Sequence, residues 1–228
     1  MANFVLVHGA WSGGYTWQGI ARMLRRAGHD VFTPTLTGLG ERSHLLSDKI
    51  DLDTHIDDVR NLIRYEELSD IVLVGHSYAG MVVTGVADAM PDKLAKLVYL
   101  DAFVPQDGQS LADLQPPGRA RPAEGIAIPP LPLSAFGVAP EKGAAYEARR
   151  MPHPVACFTQ KIRLTGAVDR VAERIYIYLN EPQPTSFTQF YERYRDAPGW
   201  RSFTMPCTHL VQLDMPEELA KLLSSFAA

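Results

Sequence analysis

Cysteine is scarce in this 228-residue chain: Cys157 and Cys207 are the only two. That excludes a small scaffold stapled by disulfides, and a reducing cytoplasm is the expected setting. Clustered basic charge is missing as well. Twenty-two Lys and Arg stand against 26 Asp and Glu, for a formal charge of −4. The longest basic runs, Arg25-Arg26 and Arg149-Arg150, read as solvated helix faces. A nucleic-acid partner is thereby excluded, because phosphate binding needs cations grouped on one surface. No apolar run nears the roughly 20 residues of a spanning helix, so no membrane partner is expected. Met1-Ala2-Asn3 leads straight into Phe4-Val5-Leu6-Val7, without the basic and then apolar stretches of a secretory leader. The histidines show no H-x-x-x-H or similar ligand spacing, so neither a metal nor another cofactor is expected.

What is present is an ordinary globular composition, 46% hydrophobic and 21% charged, of a length that suits one α/β core. Short β-branched runs alternate with helical patterns, the signature of a mostly parallel sheet with helices on both faces. Strands are predicted at Phe4–Val7, His29–Thr33, Ile71–Val74, Leu97–Leu100, Arg174–Leu179 and, least distinctly, Arg201–Met205. Helical faces are formed by Trp17, Ile20 and Leu24, by Ile56, Val59 and Ile63, by the run Met81–Met90, and by Leu219, Leu222, Leu223 and Phe226. Pro216 suits a helical first turn. The rhythm breaks between Pro105 and Gly166, where Pro116, Pro117, Pro122, Pro129, Pro130, Pro132 and Pro140 crowd a stretch without strand signals. A structureless loop of that length is unusual in a compact domain. Leu131, Leu133, Phe136, Phe158 and Ile162 also need burial, so 105–166 reads as an inserted cap, partly helical from Glu141 to Arg150. The core is then 1–104 with 167–228.

Chemistry is concentrated in three loops. Ile71-Val72-Leu73-Val74-Gly75-His76-Ser77-Tyr78-Ala79-Gly80 runs from a buried strand through Gly-His-Ser into a helix. This is a nucleophile elbow, which lifts the Ser77 hydroxyl clear of the sheet and aims a helix N-terminus at the reacting centre. Alanine replaces the usual second glycine at 79, with Gly80 next. Val7-His8-Gly9-Ala10-Trp11-Ser12-Gly13-Gly14 follows the first strand, and the amides of Ala10 and Tyr78 are the expected donors of an oxyanion hole. His8 is read as a brace for this loop. Met205-Pro206-Cys207-Thr208-His209-Leu210 follows the last strand, where His209 can take the serine proton and return it to a leaving group. Two acids end strands late enough to orient that imidazole. Asp101 is favoured over Glu181, because an aspartate closing an apolar strand is costly to bury without a partner such as His209. Asp214 is assigned to the start of the last helix. Trp11, Phe103 and Phe136 are expected to line an apolar substrate pocket.

The segments Phe4–Trp11, Gly13-Gly14 and Gly75–Met81 resemble the plant methylesterase and hydroxynitrile lyase group of the α/β-hydrolase superfamily. They resemble more closely its small bacterial esterase relatives, some of which cleave methyl carbamates. The resemblance runs nearly end to end. It implies the α/β-hydrolase fold, a serine mechanism, and backbone donors at Ala10 and Tyr78. Plant members place an aspartate where this chain has Asn180-Glu181-Pro182, which leaves both acids open. The lyases use a lysine just after the histidine and a threonine in the first loop. Leu210 and Gly9 stand there, so hydrolysis of small, fairly apolar esters or carbamates is expected. The alternatives are a non-catalytic small-molecule binding protein on this fold, and lyase-like cleavage.

Overall fold

The computed structural model describes residues 1–116, 125–182 and 184–227. Residues 117–124, part of the expected insertion and including Pro117 and Pro122, lie outside the described residues. Six strands form one sheet: β1 (Asn3–Val7), β2 (Asp30–Phe32), β3 (Ile71–His76), β4 (Leu94–Leu100), β5 (Glu173–Leu179) and β6 (Trp200–Met205). Their order is β2-β1-β3-β4-β5-β6, and every neighbouring pair is parallel. This is the expected α/β class; β2 is one residue shorter at each end than predicted, and the other strands run up to three residues beyond the predicted bounds.

Side chains that alternate along the strands serve two cores. Phe4, Leu6, Val72, Val74, Val98 and Leu100 face one way, and meet Trp17, Ile20 and Leu24 beside α1 (Gln18–Arg26) together with Leu219, Leu223 and Phe226 of the C-terminal segment. Val5, Val7, Ile71, Leu73 and Leu97 face the other way, toward α2 (Leu52–Tyr65) and α3 (Ala79–Ala89). Each fully buried aliphatic side chain here contributes about 1.5–3 kcal/mol. Helix α2 begins at a capping box: Asp51 Oδ1 accepts from Thr54 N–H at 2.9 Å. Helix α3 is mostly apolar and is buried from Ala79 to Asp88.

Among the described residues the remaining α-helices longer than four residues are α4 (Pro140–Glu147), α5 (Thr188–Tyr194) and α6 (Pro216–Ser224), the last with Pro216 at its first turn. The described part of 105–166 adds no strand to the main sheet. It does contain an antiparallel ladder of two residues a side, Ala127–Ile128 with His153–Pro154, where no strand was expected. Two residues are too few to show a period in the sequence.

Topology locates the crevice. The chain leaves β1 toward β2, then crosses back to lay β3 on the other side of β1. The carboxyl ends of β1 and β3 therefore flank the switch point, where open α/β sheets hold ligands. Ala10 follows β1 and Ser77 follows β3. No described helix is long and apolar enough to cross a membrane, and both cysteines are buried and free.

Candidate active site

Three loops at the sheet's carboxyl edge carry strained backbone. Five described non-glycine residues have positive φ, and three of them stand here: Trp11 (61°) after β1, Ser77 (58°) after β3 and Asp101 (42°) after β4. Strain of this kind costs about 1–3 kcal/mol per residue and persists where surrounding contacts enforce it. The contacts at Ser77 are explicit. Its N–H donates to Leu100 O at 3.2 Å, and its carbonyl accepts from Gly80 N–H at 3.1 Å and Phe103 N–H at 3.2 Å.

That last contact explains the displaced glycine of the elbow. A Cβ on Gly80 would lie 1.9 Å from Phe103 O, whereas Ala79 is accommodated without exposure. The pinch thus falls one residue later than the usual motif places it. Gly80→Ala is expected to cost about 2–3 kcal/mol of stability, as overpacking against backbone does. At roughly 2–4 °C per kcal/mol, thermal melts read this directly. Gly19→Ala, whose Cβ meets open space, is the control. Equal melting temperatures for the two variants would contradict the pinch.

The expected residues meet in space. His209 Nε2 lies 2.9 Å from Ser77 Oγ, and His209 Nδ1 lies 2.6 Å from Asp101 Oδ2. Nδ1 facing a carboxylate carries the proton, which leaves Nε2 to accept from the serine hydroxyl. Asp101 is fully buried, and burial pushes its carboxyl well above the ordinary range, against one hydrogen bond from Leu179 N–H. Glu181 is exposed, with its backbone N–H on Cys207 O. The imidazole of His209 is stacked on Phe187 (4.8 Å, 7°) and on Phe136 (5.2 Å, 21°). His76 Nε2 donates to His209 O at 2.9 Å and so ties the base loop to the elbow. Burial holds the His76 imidazole well below its ordinary pKa.

Ala10 and Tyr78 line a cavity of about 340 Å³ with Ser77, Trp11, Phe103, Phe136, Phe158 and Phe187 among the other walls. Among the described residues, neither the Ala10 nor the Tyr78 amide has a hydrogen-bond acceptor. Ser77 and His209 also border a cleft of about 20 Å³, lined further by Gly9, Leu133, Tyr146, Arg150 and Leu210. Gly9 is closely fitted: a Cβ there would lie 3.0 Å from Ser77 Cβ. His8 braces the loop as expected. Its Nδ1 donates to Gly9 O at 2.8 Å, and its Nε2 accepts from Leu36 N–H at 3.1 Å.

Two expectations need correction. Arg150 is not a solvated face: only 3% of its side chain is exposed, and its guanidinium lies over the rings of Trp11 (5.6 Å) and Phe136 (5.8 Å). The stem is covered because the chain folds back onto the first loop beyond α4. Asp214 does not serve the last helix. It closes a short helical turn, Val211–Asp214, and reaches back to accept from Thr208 N–H at 2.8 Å and Thr208 Oγ1–H at 2.6 Å, with Lys142 as its ion partner.

Sequence reasoning also missed a buried group. His55, His153 and Cys157 bring ligand-type atoms within 4.8 Å of one another. They stand far apart in the chain, so no linear spacing could reveal them. Three of their four ring nitrogens are already engaged, His153 Nε2 being the exception. His55 Nδ1 accepts from Tyr78 Oη–H at 2.9 Å, and His55 Nε2 donates to Thr37 O at 2.9 Å. His153 Nδ1 accepts from Trp11 N–H at 3.3 Å. The set contains no carboxylate to offset a cation, and its chemistry fits a hydrogen-bonded brace better than a metal centre.

Comparison with known proteins gives the family of the fold. The model of the alpha/beta hydrolase family matches residues 4–222. The chain belongs to that family. It is 43% identical over 242 aligned positions to a carbendazim hydrolyzing esterase of Nocardioides sp. (strain SG-4G), covering 99% of each chain. It is 31% identical over 119 positions to methylesterase 2 of Arabidopsis thaliana, covering 47% of this chain and 42% of the relative. Among solved structures, an extracellular alpha/beta-hydrolase from a Paenibacillus species superposes with a TM-score of 0.86 at 27% identity, covering 100% and 99% of the two chains. That structure is described as sharing structural and functional homology with tobacco salicylic acid binding protein 2.

Proposed function

We propose that this hydrolase cleaves small, fairly apolar carboxylic esters or methyl carbamates through an acyl-enzyme on Ser77. The observation that carries the reading is the chain of two contacts, Ser77 Oγ to His209 Nε2 at 2.9 Å and His209 Nδ1 to Asp101 Oδ2 at 2.6 Å, in the wall of an apolar cavity. Ser77 Oγ attacks the carbonyl carbon as His209 Nε2 takes its proton. Negative charge collects on the former carbonyl oxygen, which the free amides of Ala10 and Tyr78 receive. His209 returns the proton to the alkoxide or amine as it leaves. Water then clears the acyl group through the same base. Asp101 holds the imidazole in the tautomer both steps need.

Trp11, Phe103 and Phe136 form part of the walls that take the apolar portion of the substrate. The described parts of 105–166 act as the cap over that cavity, with Leu111, Ile128, Leu131 and Phe158 among its walls. The carbamate option is supported by the relative named for carbendazim hydrolysis, with which this chain is 43% identical. Lyase chemistry is disfavoured by the buried, uncharged Leu210 in the place of a cation.

A fluorophosphonate probe tests the serine directly. Wild type is expected to take one label, on Ser77, and Ser77→Ala none. Wild-type protein that stays unlabelled while remaining folded would refute the reading in favour of a binding protein. Turnover of nitrophenyl esters, aryl methyl esters and methyl carbamates then ranks the substrate classes.

A further inference from the structure

We infer that His153 and His55 are positioning residues that hold the two oxyanion donors, Ala10 and Tyr78, in place from behind the cavity wall. The inference rests on the serine mechanism proposed above and extends it to residues that touch no substrate.

The first donor sits on a loop that needs holding. Ala10 is followed by Trp11 at φ 61°, a conformation that a bulky side chain rarely adopts. Trp11 makes three hydrogen bonds, all to the chain between 128 and 153. Its N–H donates to His153 Nδ1 at 3.3 Å, its indole N–H donates to Ile128 O at 3.0 Å, and its carbonyl accepts from Met151 N–H at 3.3 Å. Ile128 and His153 are themselves partners in the two-residue ladder. The ladder therefore forms a frame, and the frame grips the peptide that carries the Ala10 carbonyl and the Trp11 N–H. Rotation of that peptide would turn the neighbouring Ala10 amide away from the cavity.

The second donor is held through its side chain. Tyr78 Oη–H donates to His55 Nδ1 at 2.9 Å, and His55 Nε2–H donates to Thr37 O at 2.9 Å. The ring of Tyr78 is packed edge-on against His153 at 4.6 Å and stacked on Phe158 at 5.7 Å. The two imidazoles meet at 90° with centroids 5.5 Å apart. One buried unit thus touches both donor residues.

The device works only with neutral rings, since each uses Nδ1 as an acceptor. Burial secures this: it lowers His55 to about 4 and His153 well below its ordinary value. The cost is visible at His153 Nε2, which is buried without a hydrogen-bond partner. An unpaired buried N–H is unfavourable. It is the consequence of fixing the opposite nitrogen as an acceptor for Trp11.

The test compares His153→Asn with His153→Leu. Asparagine keeps an acceptor near the position of Nδ1, and leucine keeps bulk without one. Loss of an oxyanion donor costs about 100–1000-fold in kcat; a misplaced one is expected to cost about 10–100-fold. His153→Leu should show that loss in kcat, with KM within about threefold, because the hole acts on the transition state. Binding of a trifluoromethyl ketone, whose adduct carries the oxyanion, should weaken by the same factor. His153→Asn should recover most of both. Equal losses in Leu and Asn, or a loss confined to KM, would overturn the assignment. Tyr78→Phe removes one oxygen and no bulk, so it tests the His55 half even if His153→Leu does not fold. A loss of about 3–10-fold in kcat and in ketone affinity is expected, scaled down from removal of a donor; unchanged ketone affinity would remove His55 from the assignment. Wild-type turnover and Ser77 labelling are measured alongside, so a failure of the serine chemistry is told apart from a failure of the brace.

Discussion

Asparagine at position 101 is expected to lower kcat by about 10⁴-fold, while glutamine at 181 leaves it nearly unchanged. The reasoning is geometric. Asp101 Oδ2 is 2.6 Å from His209 Nδ1, and its other oxygen accepts from Leu179 N–H at 3.3 Å. An asparagine would fill the same space, so folding should survive. Its amide, however, can turn N–H₂ toward Nδ1 and stabilise the tautomer whose Nε2 carries a proton. That imidazole cannot accept from Ser77. It would also lack a negative partner when charged. Burial raises the Asp101 carboxyl because nothing but this imidazole and one backbone amide compensates it, so His209 and Asp101 form a mutually dependent pair. Glu181 stands exposed beyond β5, and its loss removes a solvated charge. Steady-state kinetics on the best ester of the panel decide the matter. Loss at 181 with retention at 101 would transfer the acid to the family's usual position.

Much of this site was legible before any coordinates. Ser77, His209 and the first loop each follow a strand, and chain order alone assigns their roles. The acid was legible only as a pair of candidates, because both Asp101 and Glu181 close strands. Their separation depends on the direction of a strained residue at φ 42°. The brace was not legible at all. His55 lies on α2 and His153 lies 98 positions later, in a ladder of two residues a side. Neither belongs to a period or a motif. Arg150 was misread for a related reason. Its neighbour Arg149 is exposed, and adjacent arginines look alike in sequence, but the turn after α4 sends one toward solvent and the other across Trp11. Interactions that close over long separations leave no local pattern to read.

Acid should unfold this protein cooperatively below about pH 6.5, because it keeps several imidazoles buried and neutral. Burial lowers His8 and His55 to about 4, and holds His76 and His153 well below their ordinary value. In the unfolded chain all four titrate near about 6.5. As pH falls below that value, the unfolded state binds four protons that the native state refuses. Stability therefore falls with falling pH, and it is fully present only above about 6.5. Asp101 acts in the opposite sense. Its raised carboxyl takes up a proton in the native state before an unfolded aspartate does, which offsets part of that loss. Each proton bound only by the unfolded state is worth up to about 1.4 kcal/mol per pH unit, so several together give a slope of a few kcal/mol per unit. A typical stability of about 5–15 kcal/mol is exhausted within a few units at that slope. Urea unfolding at pH 7, 6 and 5 measures the slope itself. A loss of stability of a few kcal/mol per unit between pH 6 and 5 counts the buried histidines as a group. A slope near zero, or a fold that persists with unchanged melting temperature at pH 4, would mean that these rings accept protons in place, and that the neutral acceptor at His153 is not enforced by the fold.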